Sequence, residues 1–105
     1  MRYMLMICTD ESSTGALSPE EGQAMMAEYM SFSEEMASRG ILQGGDRLRP
    51  TTDATTVKVR DGQVLTADGP FAETKEQVGG YYLVECKDLD EALDVAAKIP
   101  GARVG

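Results

Sequence analysis

The chain has 105 residues, a length that suits one domain around one core. With 42% hydrophobic and 27% charged residues it has an ordinary globular composition, and its formal net charge of −8 argues against nucleic acid, whose phosphates call for clustered Lys and Arg. The longest apolar run, Met4 to Cys8, is far too short to span a bilayer and follows no basic leader, so a cytoplasmic protein without a membrane partner is expected.

Arg2 to Thr9 (RYMLMICT) reads as a strand with apolar residues on both faces: Tyr3, Leu5 and Ile7 on one, Met4, Met6 and Cys8 on the other. A polar loop at Gly15 leads to a helix start. Ser18 is the N-cap, Pro19 takes the first helical position and Glu21 completes a capping box. From Pro19 to Arg39 the helix places Met25, Tyr29, Phe32 and Met36 on one face with Met26, Met30 and Ala37 beside them, and Gly40 stops it.

The segment LQGGDRLRP reads as a loop. Thr55 to Arg60 alternates like a strand, Asp61-Gly62 signals a two-residue hairpin turn, and Gln63 to Thr66 returns. After DGPFAETKE, the run Gly79 to Cys86 is a second strand apolar on both faces. Asp88 caps a shorter helix, with Glu91 three residues on expected to complete a capping box; its buried face is read as Leu89, Ala92, Leu93, Ala96 and Ile99, and the terminal ARVG is read as the start of a last strand.

This order predicts an α+β protein: a ferredoxin-like βαββαβ arrangement with an extra hairpin, an antiparallel sheet and two helices on one of its faces. Helices on one face leave the other apolar face of strands 2–9 and 79–86 uncovered. A second copy of the chain, sheet against sheet, is the expected cover.

The sequence holds no histidine, which removes the commonest neutral-pH base and the commonest transition-metal ligand. No metal site and no cofactor are expected, and acid–base chemistry falls to carboxylates, Lys, Tyr or thiol. The two cysteines, Cys8 and Cys86, are read as buried, reduced small hydrophobes.

The candidate site is DGPFAETKE, Asp68 through Glu76. Asp68-Gly69-Pro70 has the composition of a turn, and Asp68 is also the leading acid. Phe71 either plugs the core or walls a pocket. Glu73 and Lys75 set an acid near an ammonium, a pairing that tunes a carboxylate or holds an organic anion. Arg47, in a Gly-rich loop of an acidic chain, is a second anion clamp.

The run ADGPFAETKEQVGGYYLVEC resembles the signature of the DGPF-motif subgroup of YCII-related proteins. YMLMI, GGDRLRPTTDATTVKVRDG and DLDEALDVAAKIPGA resemble further segments, so the likeness covers nearly the whole chain. The resemblance implies a ferredoxin-like fold assembled as a dimeric α+β barrel. It also implies an association with extracytoplasmic-function sigma factors. Other branches pair a helix His with a loop Asp. Asp68 matches the Asp, while the His has no counterpart and Tyr29 is the nearest polar residue. The expectation is therefore a homodimer binding a small organic ligand, with Asp68 catalytic and Arg47, Phe71, Glu73, Lys75 and Tyr29 around the ligand. The alternative is a non-catalytic module for a sigma-factor-related protein.

Overall fold

The computed structural model describes residues 1–14 and 17–103. The loop expected at Gly15 and the last two residues of ARVG lie outside the described residues. Among those described, no helix is long and apolar enough to cross a membrane.

The elements run β1 (Arg2–Thr9), α1 (Glu11–Thr14), α2 (Pro19–Ser38), β2 (Leu42–Arg47), β3 (Thr55–Arg60), β4 (Gln63–Asp68), β5 (Gln77–Glu85) and α3 (Leu89–Ala97). Short 3-10 turns stand at Thr51–Asp53 and Pro100–Arg103. β1, β5 and β2 form a three-stranded antiparallel sheet with β5 in the middle, while among the described residues β3 and β4 form a separate two-stranded sheet. Thus α+β class and antiparallel pairing hold, with the strands divided between two sheets.

Local chemistry sets both ends of α2 and the start of α3. The Ser18 hydroxyl accepts from the Glu21 N–H while the Glu21 carboxylate accepts from the Ser18 N–H, a reciprocal capping box ahead of Pro19. At the other end Gly40 adopts φ +71°, and the N–H groups of Gly40 and Ile41 return to the Ala37 and Met36 carbonyls. Asp61 and Gly62, at φ +50° and +75°, make the tight turn of the β3–β4 hairpin. Asp88 caps α3 by accepting from the Glu91 N–H, but the Glu91 carboxylate reaches the Lys87 N–H instead of closing the box on Asp88.

The core lies between one sheet face and the helices. Phe32 and Met36 of α2, Ala92 and Val95 of α3, Val84 of β5 and the flanking Ile41, Cys86 and Ile99 are buried together, with Tyr3, Leu5, Ile7 and Tyr82 packed against them. The Phe32 and Tyr82 rings meet at 4.9 Å between centroids, tilted by 55°. The opposite sheet face stays open: Met4 is 57% and Met6 61% exposed.

Four expectations are corrected. Leu42–Arg47, read as loop, is strand β2; its Gly45 is required by close backbone approach, since a Cβ there would lie 2.5 Å from the Tyr81 carbonyl oxygen. ARVG does not begin a strand within the described residues, because the Ala102 N–H closes a turn on the Ile99 carbonyl and Pro100–Arg103 curls as a 3-10 turn. The buried face of α3 is centred on Ala92 and Val95, leaving Leu89 and Leu93 exposed. Cys86 is buried as expected, its thiol pushed up by burial and then by the Glu91 carboxylate, whereas Cys8 is exposed. Cys8 pairs with Val78 at one end of β1, and the Cys86 backbone N–H donates to the Met1 carbonyl at the other, so the two cysteines lie at opposite ends of the strand.

Candidate functional site

β1 and β2 both run antiparallel to β5, so they run parallel to one another and end at the same edge of the sheet, where β5 begins. Asp10 and Glu11 follow β1 there, Thr51 and Thr52 follow β2, and the DGPFAETKE loop arrives to start β5. These three segments, distant in sequence, enclose an open cleft of about 390 Å³. That volume lies within the range of small-molecule sites.

One wall is built by Glu11, whose two carboxylate oxygens accept from the Thr51 N–H at 2.9 Å and the Thr51 hydroxyl at 2.8 Å. This charge-assisted pair ties the start of α1 to the turn after β2. Asp10 accepts from the N–H and hydroxyl of Ser12. The other wall is the loop itself. Its Gln77 amide donates to the Ala72 and Thr74 carbonyls, both at 3.0 Å, which stiffens the loop against the start of β5.

The DGPF turn rims the cleft through Gly69 and Pro70. Gly69 holds φ +100°, donates to the Ala54 carbonyl at 2.7 Å and accepts from the Thr56 hydroxyl at 2.9 Å. The turn is thereby pinned to the base of the hairpin, and the left-handed φ explains its glycine. Asp68 closes β4 opposite Thr55, one residue before the rim, with its side chain exposed.

Of the residues expected at the site, Glu73 and Lys75 line this cleft together. Neither has a side-chain hydrogen bond or ion pair to another described residue, so both remain available to a ligand. Phe71 neither plugs the core nor lines the cleft: it is 82% exposed, with the Lys58 ammonium 5.5 Å from its ring centroid. Arg47 lies opposite Gly80 at the end of β2, exposed and outside the cleft. Tyr29 packs against the core, and a Cβ on Gly101 would come within 2.6 Å of its hydroxyl, so this tyrosine abuts the turn after α3.

Sequence reading missed Asp10, Glu11, Thr51, Thr52 and Gln77. No spacing relates residue 11 to residue 51; only the shared pairing of β1 and β2 with β5 brings them to one edge. A larger hollow of about 510 Å³ lies between α2 and α3, but Glu35 there is already paired with Lys98 at 3.5 Å and Arg39 at 3.7 Å. The smaller cleft is the better candidate because its Glu73 and Lys75 are uncommitted. Among the described residues, no group of three or more His, Cys, Asp or Glu side chains is placed to hold a metal ion.

A family profile for the YCII-related domain matches residues 1–105. The chain belongs to the YCII-related family. This YCII-related chain is also 42% identical over 102 residues to an uncharacterized protein of Rhizobium meliloti (strain 1021), covering 97% of this chain and 82% of that relative. The family match spans the cleft-forming segments, the β3–β4 hairpin, α2 and α3.

Proposed function

We propose that this YCII-related protein, of the DGPF-motif type, is a cytoplasmic homodimer that binds a small organic molecule in the cleft where β1 and β2 end. The observation that carries the reading is the meeting of Glu73 and Lys75, both uncommitted, within one cleft whose other carboxylates already have partners. Lys75, the one cation lining it among the described residues, supports a ligand carrying a carboxylate or similar anionic group. Glu73 accepts from a hydroxyl or amino group on the same molecule. Where the ligand is turned over, proton transfer falls to Asp68 at the adjoining strand end or to Glu73, since the chain has no histidine. The open sheet face, with Met4, Met6, Tyr81 and Leu83, supports pairing with a second copy sheet to sheet.

A thermal-shift screen against small organic acids and aromatic metabolites tests the reading. A ligand at about 100 times its dissociation constant adds roughly 2.7 kcal/mol, a shift of several degrees for a domain of this size. The expected result is a shift in the wild type that Lys75→Gln loses while keeping wild-type stability. A shift that survives Lys75→Gln unchanged places the ligand elsewhere. One observation favours a second reading, a module docking a sigma-factor-related protein: Met26 and Met30 of α2 and Leu89 and Leu93 of α3 stay exposed on the helix layer. A screen without any shift moves the weight to that reading.

A further inference from the structure

The cleft at the ends of β1 and β2 has a charge balance that discriminates between ligands. Among the described residues, the carboxylates of Asp10, Glu11 and Glu73 line it against the ammonium of Lys75, and the rest of the lining is uncharged. Its formal charge at neutral pH is therefore negative. The partners of Glu11 do not offset this, since its two oxygens accept from the N–H and hydroxyl of Thr51, both neutral donors. Neither Glu11 nor Glu73 forms an ion pair with another described residue; the carboxylates so engaged are Glu35, Asp53 and Glu85. The balance stays negative with Asp10 set aside, because two carboxylates then face one ammonium.

Placement matters as much as number. Glu11 stands on the wall that follows β1, held there by Thr51, while Glu73 belongs to the loop wall, so a cation in the cleft meets a carboxylate from each wall. Lys75 follows Glu73 by two residues, which keeps the two Cα atoms within about 7 Å of one another. A ligand that engages both carries its opposite charges a few bonds apart. Among the described residues no three carboxylates are placed to share a metal ion, so the positive charge is one carried by the ligand itself. An ammonium suits such a site, because its three N–H donors reach separate acceptors. The volume of about 390 Å³ is near the low end for small-molecule sites and fits a compact molecule.

We infer that the ligand of this cleft is amphoteric: a small amino acid, or a like compound with an ammonium and a carboxylate a few bonds apart. Its carboxylate meets Lys75, and its ammonium lies between Glu73 and Glu11. A plain organic acid satisfies Lys75 but adds a further negative charge beside carboxylates that remain uncompensated. A plain amine satisfies the carboxylates but sets its ammonium near that of Lys75. Like charges brought together in this way reject the wrong partner. The inference rests on the cleft reading proposed above and narrows it, since the charge balance gives Glu73 an ammonium rather than a hydroxyl to accept from.

Isothermal titration calorimetry with probes of equal chain length tests it. 4-Aminobutyrate carries both charges, butyrate only the negative one and butylamine only the positive one; β-alanine, propionate and propylamine repeat the comparison one carbon shorter. Wild type is expected to bind an amphoteric probe at least about tenfold more tightly than either single-charge probe. Glu73→Gln is expected to abolish the advantage over the acid, and Lys75→Gln the advantage over the amine. Both variants are expected to keep the wild-type melting temperature, since neither side chain bonds another described residue. An acid or an amine that binds as tightly as its amphoteric counterpart overturns the inference, and the cleft reading survives if that binding is lost in Lys75→Gln or Glu73→Gln. Amphoteric binding unchanged in both variants overturns the inference and the cleft reading together. Absence of binding by every probe overturns the inference alone where another organic acid still gives a thermal shift that Lys75→Gln loses, and overturns both where none does.

Discussion

Val84 and Val64 both sit in antiparallel strands, yet Val84 is 0% exposed and Val64 is 68% exposed. The difference lies in what surrounds the strand. β5 is flanked by β1 and β2 and roofed on one face by α2 and α3, so Val84 joins a core with Met36 and Val95. Among the described residues β4 has β3 as its one strand neighbour, and all six of its residues are exposed. The same residue type, with the same strand preference, is core in one place and surface in the other. Strand propensity measures fit to a half-buried pleated surface and does not itself supply the burial.

The largest expected effect sharpens this contrast. Met36→Ala empties a fully buried site and costs about 2–5 kcal/mol in a denaturant titration. Val64→Ala changes the stability of a single chain by no more than about 0.5 kcal/mol. A Val64→Ala penalty that grows with protein concentration ties that face to a second copy. Next in size, Gly45→Ala forces a Cβ to within 2.5 Å of the Tyr81 carbonyl oxygen, so the β2–β5 ladder has to shift. The expected loss is about 1–3 kcal/mol by thermal unfolding, and an unchanged melting temperature contradicts the close approach of these strands.

The smallest effect concerns the open face. The Tyr81 hydroxyl donates to the Asp46 carboxylate at 2.9 Å, and that hydrogen bond, then the Asp46 charge and burial, push the phenol above its ordinary value. A raised folded-state value means that the fold favours the protonated phenol. Its stabilisation is therefore fully present below about pH 10 and is lost as pH rises through the folded value. Wild type is expected to exceed Tyr81→Phe in stability at neutral pH, with the gap closing in alkali. A gap that persists above that range rules out the bond as its source.

The features legible in the sequence were those written in local chemistry. Ser18, Pro19 and Glu21 announce a helix start, Gly40 a stop, Asp61-Gly62 a hairpin and Asp68-Gly69-Pro70 a turn, because each depends on backbone dihedrals and hydrogen bonds within a few residues. Glu73 and Lys75, which line the same cleft, stand out in the sequence as polar residues in a loop without periodic reason. β2 was not legible, since Gly44 and Gly45 argue against a strand, and Gly45 is explained only once the β5 backbone approaches closely enough to require it. On α3, Val95 rather than Leu93 is buried, because the helix's rotation is set by what it packs against and not by its apolar content alone.

By itself, then, the sequence determined the element types outside β2 and the turn after α3, the helix starts, the turns and the two-faced apolar character of β1 and β5. Only the tertiary structure decided that β1 and β2 end at one edge, that Glu11 reaches Thr51 across 40 positions, and that the hairpin stands apart from its own sheet. The reason is the range of the forces involved. Capping and turn formation are settled within a few residues, whereas a cleft assembled from three distant segments exists only once the ladders to β5 have aligned their ends.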